Sequence, residues 1–220
     1  MRKFNAWANR LGVFFLLAII FLIVDTAPES QALDIEDVRG NVVEYSKAEN
    51  FYEIAILAAQ NPSLAAEIAK TAVEANPDLA MVILDRIIEF VPHGYAAEIA
   101  ASVAEAIPDK AAEIAGRVAS IVPEAAAEIA ARVAKAVPDK AVDIAGRVAS
   151  VVPGAAAEIA ARVASVVPGA AAEIADRLAA IAPEYEDSIR LSIADVIVPP
   201  AGEEKEIPLP PPPSPPPYGQ

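Results

Sequence analysis

Nine prolines divide most of this 220-residue chain into segments of equal length. Pro62, Pro77 and Pro92 are 15 residues apart, and after one extra residue the same spacing runs from Pro108 to Pro183. Proline lacks an N–H and has a fixed φ, so it fits the first turn of a helix and breaks a helix interior. A fixed period is also typical of repeat architectures. The spacing therefore predicts a series of short helices, each beginning near a proline.

The residues between the prolines repeat as well. When each proline is counted as position 0, position 5 is acidic in six repeats, position 6 is Ile in eight and position 9 is Arg in six. Residues 108–137 and 138–167 are identical at 24 of 30 positions, and Gly116 recurs 30 residues later as Gly146. Alanine, a strong helix former, fills much of the remainder. The true unit is therefore predicted to be 30 residues long and to contain two distinguishable helices.

A helical wheel indicates how these helices pack. In the repeat that begins at Pro108, one face carries Ala111, Ile114, Val118, Ile121 and Val122. A narrow polar stripe carries Glu113, Arg117 and Ser120, and the third face carries Ala112, Gly116 and Ala119. Because the third face is small and apolar, such a helix is suited to packing on two sides. The sequence thus predicts an all-α fold, a short α-solenoid of about ten helices arranged as hairpins.

In general plan this pattern resembles the α-helical solenoids of the tetratricopeptide and HEAT kind. The resemblance covers roughly residues 45–198. The period of 30 is shorter, and the Trp, Gly and Tyr signature of tetratricopeptide repeats is absent. It implies an architecture of stacked helical hairpins, and it carries over no binding residues.

The first 32 residues are typical of an export signal. Arg2, Lys3 and Arg10 precede an apolar run of 14 residues, 11–24, and small residues at Ser30 and Ala32 fit cleavage after Ala32. We therefore expect a periplasmic, cell-surface or extracellular protein. An uncleaved inner-membrane anchor at residues 11–24 is the alternative, although about 20 residues are usual for a spanning helix. A lead-in at 33–46 and a repeat domain at 47–198 would follow.

The last 22 residues, 199–220, include ten prolines. This composition predicts an extended polyproline II tail, which acts as a spacer or stays disordered. A docking peptide for an aromatic groove is the alternative, since Pro215–Tyr218 fits a PPxY motif. Readers of that motif are rare in bacteria, and the export signal and repeats look bacterial, so the spacer is preferred.

Composition disfavours most kinds of chemistry. With no cysteine and one histidine, the chain has no thiol nucleophile and no Cys- or multi-His metal site. A net charge of −14 disfavours nucleic-acid binding, which depends on Lys and Arg. His93 lacks a recognisable nucleophile or orienting partner, and the acidic residues at 34–37 and 203–204 match no calcium loop. We therefore predict no enzyme activity, no cofactor and no metal.

The repeated charges are the candidate interaction surface. They are expected to form one stripe along one edge of the solenoid, made of Glu113, Arg117, Glu128, Arg132, Asp143, Arg147, Glu158, Arg162, Glu173 and Arg177. The resulting hypothesis is an exported structural or interaction scaffold that binds a protein or cell-envelope component. One alternative is a protein whose amphipathic helices adsorb to a lipid surface. A minor alternative is self-assembly of the near-identical repeats.

Overall fold

The computed structural model describes residues 35–197, and they contain eleven α-helices and no β-strand. The helices, numbered here in chain order, are α1 Ile35–Lys47, α2 Phe51–Gln60, α3 Ala65–Ala75, α4 Ala80–Phe90, α5 Ala96–Ala106, α6 Ala111–Ile121, α7 Ala126–Ala136, α8 Ala141–Val151, α9 Ala156–Val166, α10 Ala171–Ile181 and α11 Glu186–Ile197. The predicted all-α, proline-punctuated solenoid is confirmed.

Contacts divide the chain into two units, residues 1–41 and 42–220. The described part of the first unit is the N-terminal half of α1. The described part of the second unit runs from Val42 to Ile197 and includes all the repeats. Its first helical turns are tied to the repeats by Asn76, whose Nδ2 donates to the Ser46 carbonyl oxygen at 2.6 Å.

Eight of the nine prolines open a three-residue 3₁₀ turn and not the α-helix itself. In the repeat at Pro108, the turn Pro108–Lys110 leads into α6, and the Lys110 N–H donates to the Ile107 carbonyl at 2.9 Å. Ile107 has φ −135° and ψ 72°, outside the helical region, because the proline ring disfavours helical dihedrals in the residue before it. The α-helices of the regular repeats are consequently 11 residues long.

Helices pack in two rows. Row A contains α3, α5, α7, α9 and α11, and row B contains α2, α4, α6, α8 and α10. Each helix packs against the next helix of its own row and against its sequence neighbours in the other row. This alternation gives the predicted 30-residue period a structural meaning, since the chain returns to the same row after two helices.

The core between the rows is built around an isoleucine from each of the helices α2–α11 and the small residues beside it. These isoleucines are at most 1% exposed: Ile54, Ile68, Ile83, Ile99, Ile114, Ile129, Ile144, Ile159, Ile174 and Ile189. In α6, Gly116 and Ala119 of the predicted small face are also buried, whereas Ala112 is half-buried. Ile121, which was assigned to the apolar face, is only half-buried. It lies at the end of the helix, where one side remains open.

The extra residue of the period lies between α4 and α5. Val91 is extended, with φ −90° and ψ 144°, and Pro92 follows with φ −54° and ψ 135°. The 3₁₀ turn therefore begins one residue after the proline, at His93. At this point row B is interrupted, because α4 contacts α6 much less than α6 contacts α8.

Several predictions fall partly or wholly outside the described residues. They are the export signal at 1–32, the first residues of the lead-in at 33–46, and the proline-rich tail at 199–220. Helix α1 covers most of that lead-in. Between residues 35 and 197, none of the helices has the length and apolar character needed to cross a bilayer.

Candidate interaction surface

The ten stripe residues do not share one edge. Because consecutive helices lie in different rows, the stripe is divided between two surfaces. Row A carries Glu128, Arg132, Glu158 and Arg162. Row B carries Glu113, Arg117, Asp143, Arg147, Glu173 and Arg177, and we call these six residues the row-B ladder. The single edge expected from the sequence is therefore wrong, and the two surfaces differ in chemistry.

On row A, each arginine is paired within its own helix. Arg132 Nε donates to Glu128 Oε1 at 3.0 Å, and Arg162 Nε donates to Glu158 Oε1 at 3.0 Å. These are the i,i+4 pairs that the sequence spacing predicted. Their side chains are about half exposed, so solvent screens them and each contributes only ~0.3–0.5 kcal/mol. The surface of row A is thus largely neutralised by its own pairs.

On row B, the arginines extend onto the preceding helix of the row. A Cβ atom placed on Gly116 would lie 2.7 Å from Cγ of Arg147, and one placed on Gly146 would lie 3.1 Å from Nε of Arg177. Arg147 and Arg177 therefore occupy the space left by missing side chains. Among residues 35–197, neither arginine has a carboxylate within ion-pair distance.

The difference between the rows has a cause at position 8 of the repeat. Row B has Gly116 and Gly146 there, whereas row A has Ala101, Ala131 and Ala161. The alanine methyl group fills the space in which a row-B arginine lies. A row-A arginine consequently stays on its own helix and reaches the glutamate four residues earlier. On row B that interaction is given up, and Glu113, Asp143 and Glu173 stay exposed without an ion pair inside the described part of the chain.

Position 8 differs again at the interruption of row B. There α4 carries Asp85, which accepts two hydrogen bonds from Arg117 of α6, from Nε at 2.7 Å and from Nη2 at 2.6 Å. This bidentate geometry is the strongest form of an arginine–carboxylate pair. The pKa of Arg117 is raised above its ordinary value, chiefly by the hydrogen bond to Asp85. Arg117 is thus bound by a carboxylate, whereas Arg147 and Arg177, the other two arginines of the ladder, lie over glycine residues.

Two further pairs connect the helices before and after the inserted residue. Lys70 of α3 donates to Glu105 of α5 at 3.0 Å, and this hydrogen bond is the main cause of the raised pKa of Lys70. His93 Nδ1 lies 3.4 Å from Glu124 Oε1. The pKa of Glu124 is lowered, first by a hydrogen bond from its own backbone and then by His93. Of these pairs only Asp85–Arg117 crosses the interruption of row B, whereas Lys70–Glu105 joins two helices of row A that also pack closely.

Each surface carries one open groove. The row-A groove has a volume of about 300 Å³ and is lined by Glu98, Ala101, Ser102, Glu105, Arg132, Lys135 and Ala136. The row-B groove has a volume of about 400 Å³ and is lined by Met81, Asp85, Glu113, Gly116, Arg117, Ser120, Arg147 and Val151. Only the row-B groove contains an arginine and a carboxylate that have no partner in the described residues, namely Arg147 and Glu113.

The end of the described solenoid is closed by a small charge network. Arg190 donates to Glu186 Oε1 at 2.9 Å and to Asp176 Oδ1 at 3.2 Å, which joins α11 to α10. Ser192 donates to the Ala157 carbonyl at 2.9 Å and so ties α11 to α9. Such polar contacts are typical of the terminal helix that caps a solenoid. Leu191 is nevertheless 78% exposed on this helix.

The other residues singled out in the sequence have structural roles. The hydroxyls of Ser120, Ser150 and Ser165 donate to the carbonyl three residues earlier at 2.6–2.7 Å, as helical serines commonly do. Sequence reasoning missed Asp85, Lys70 and Glu105. For Asp85 a signal existed, because it occupies the position at which later row-B repeats have glycine. In residues 35–197, no three His, Asp or Glu side chains are grouped so as to hold a metal ion.

Comparison with known proteins identified no relative of this chain. No protein family model matches the chain, and no curated protein or solved structure is significantly similar to it.

Proposed function

We propose that this protein is an exported, non-enzymatic scaffold whose solenoid presents a repeated charged surface to a protein or cell-envelope partner. The observation that carries the proposal is the row-B ladder. Its residues recur once per 30-residue unit, are exposed, and in two of the three repeats are unpaired within the described chain. A recognition surface needs charges that are available to a partner, and the repeated Glu–Arg pairs of row A are bound to each other, although Glu98 and Lys135 of that row have no ion pair in the described residues.

Burial of the isoleucines favours a scaffold over a lipid-adsorbing protein. An amphipathic helix that binds a bilayer inserts its apolar face among the lipids. Here that face is used inside the solenoid, and Ile114, Ile129 and Ile144 are 0% exposed. Lipid binding would require the rows to separate.

Circular dichroism of the purified protein separates these two functions. We expect high helix content in dilute buffer, a cooperative urea transition, and no gain of helix on adding vesicles of zwitterionic or anionic lipid. A chain that becomes helical only with vesicles would contradict the scaffold.

Export is tested by a second experiment. The full 220-residue sequence is expressed with a C-terminal tag, the cells are fractionated, and the N-terminus of the product is sequenced. We expect a product outside the cytoplasm that begins at residue 33. Retention in the cytoplasm with an intact N-terminus would contradict export.

The partner-binding surface can be located with single cysteines, because the natural sequence has none. Ser120→Cys places a photo-crosslinker on row B, and Ser165→Cys places it on row A as the matched control. Both serines are exposed and make the same backbone hydrogen bond. We expect crosslinked products from residue 120 and few from residue 165. Equal yields from both sites, or products from residue 165 alone, would contradict row B as the binding surface.

A further inference from the structure

We propose that the partner of the row-B ladder is a second copy of this chain, bound through the same surface about a two-fold axis parallel to the row. The inference rests on the proposed function, since it names the partner of the same surface.

The ladder consists of two parallel columns of opposite charge. Each of the helices α6, α8 and α10 contributes one acid at position 5 and one arginine at position 9, all projecting from the same side of the row. The acids therefore form one column, Glu113, Asp143 and Glu173, and the arginines form a second column beside it. The six ladder residues carry equal and opposite formal charge, and two further acids, Asp85 and Asp176, lie on the same row, where Asp85 binds Arg117.

The pattern is complementary to itself in one orientation. Rotation by 180° about an axis that runs along the columns exchanges left and right, so the acid column of one copy faces the arginine column of the other. Rotation about an axis across the columns would place like charges opposite each other. The spacing between successive charges also matches without adjustment, because both copies have the same repeat. A partner of another sequence would need to reproduce that spacing independently.

The remaining features of row B leave this surface accessible. Arg147 and Arg177 are exposed although their stems lie on glycine, and Glu113, Asp143 and Glu173 are exposed. Gly116 and Gly146 are buried beneath the side chains of Arg147 and Arg177, which are thereby held across the row. Arg117 contributes least, since Asp85 already binds it.

The size of the surface predicts a low affinity. The three ladder helices, each about 16 Å long and 8–10 Å apart, cover roughly 400 Å². This is below the ~800 Å² per partner that a standard stable interface buries. We therefore expect a reversible dimer whose formation depends on salt, because charges supply much of the complementarity.

Charge exchange between the columns tests the proposal. One variant carries Arg147→Glu and Arg177→Glu, and a second carries Glu113→Arg, Asp143→Arg and Glu173→Arg. In either variant alone, like charges would face each other across the axis. In a mixture of the two, every acid column faces an arginine column again. The matched control is Arg132→Glu with Arg162→Glu, which changes the net charge of the chain as the first variant does but alters row A.

Sedimentation velocity on the product purified after expression of the full sequence gives the readout, and circular dichroism confirms that each variant is folded. We expect the natural chain to dimerise in low salt, and we expect ~0.5 M NaCl to weaken the dimer at least about tenfold. Each column variant alone should be monomeric, their mixture should form heterodimers, and the row-A control should remain dimeric.

Three results would overturn the proposal. They are a monomeric natural chain at low salt, column variants that dimerise as well as the natural chain, and column variants that do not associate when mixed. None of these results bears on export or on the capture of another protein at residue 120, so failure of this inference is distinguishable from failure of the proposed function.

Discussion

A single methyl group at position 8 of the repeat decides how the neighbouring arginine is used. Where the residue is Ala131, the arginine of the next helix in the row, Arg162, pairs with Glu158 on its own helix. Where it is Gly116, the next arginine in its row, Arg147, lies across the glycine instead. Glycine in a helix interior costs about 0.5–1 kcal/mol relative to alanine. On row B this cost is accompanied by exposed, unpaired charge, which a surface built only for stability would not have.

Substitution of glycine by alanine should stabilise the fold by different amounts at two sites. Gly154 is exposed in a 3₁₀ turn, has no positive φ, and has open space where a Cβ would lie. We expect Gly154→Ala to stabilise the fold by about 0.4–1 kcal/mol, because it restricts the unfolded chain. Gly116→Ala gains helix propensity but pushes the Arg147 stem, which lies 2.7 Å from the new atom. Its net stabilisation in urea denaturation should be smaller, and equal gains at both sites would contradict this account.

The central isoleucine and its neighbouring arginine should differ greatly in their contribution to stability. Ile129 is 0% exposed, and Ile129→Ala should lower the free energy of unfolding by about 2–5 kcal/mol through lost burial and a cavity. Arg132 is about half exposed and makes one intrahelical pair, so Arg132→Ala should change that free energy by less than about 0.5 kcal/mol. Urea titrations followed by circular dichroism measure both, and similar losses for both variants would contradict the assigned core.

Sequence alone predicts much of this residue-level structure. Isoleucine at position 6 and the small face with Gly116 were both identified from periodicity, and both are buried. The direction of the Arg147 side chain could not be predicted in the same way, because a helical wheel compares only residues within one helix. Whether an arginine lies along its own helix or over a neighbour depends on the position 8 residue of a helix 30 residues earlier.

At the scale of the helices, proline sets each boundary and one extra residue sets the exception. In the regular links the residue before proline is held at φ near −130°, and a 3₁₀ turn leads into the next helix. Between α4 and α5 the added residue is absorbed by the extended pair Val91 and Pro92. The sequence located this insertion. It did not show that row B would be interrupted there, because contact between α4 and α6 depends on geometry that one repeat does not encode.

At the interruption of row B, we expect the ion pair between Asp85 and Arg117 to hold α4 against α6, a contact that apolar packing provides elsewhere in the row. Asp85→Asn removes the carboxylate that Arg117 binds, and we expect faster hydrogen exchange in α4 and a loss of up to about 1 kcal/mol, the upper range for an exposed pair. The matched control is Asp143→Asn, since Asp143 has no ion pair among the described residues. That control should leave exchange in α8 unchanged. Equal effects of the two substitutions, or no effect at Asp85, would contradict a junction that depends on ion pairs.

At the scale of the whole repeat domain, two rows follow from one alternation in sequence. From α5 to α9 the position 8 residue alternates between alanine on row A and glycine on row B, and each helix packs on the helix of its own row two helices later. The fold therefore has a unit of two helices and not one. The sequence indicated that unit through the recurrence of Gly116 at Gly146, and the stacking of α6 on α8 confirms it. The assignment of all ten stripe residues to one edge failed because periodicity gives spacing along the chain and not the row in which a helix lies.

The two-helix unit makes a prediction about deletions. Removing residues 138–167 joins Val137 to Pro168, takes out α8 and α9, and leaves every later helix in its present row. In a solenoid, stability is close to a sum over units and their interfaces. We expect this shortened chain to remain highly helical and to unfold cooperatively at a lower urea concentration.

Removing only residues 138–152 deletes half as many residues but takes out α8 alone. Helix α9 would then enter row B with Ala161 where a glycine belongs, and α10 would enter row A. Helices α9, α10 and α11 would keep their mutual packing, so the mismatch would fall at the new contacts of α9 with α6 and of α10 with α7. We therefore expect the smaller deletion to be the more damaging, with a broader urea transition and less helix per residue by circular dichroism. If the 15-residue deletion proved as stable as the 30-residue one, single helices would be interchangeable, and the two rows would not be distinct.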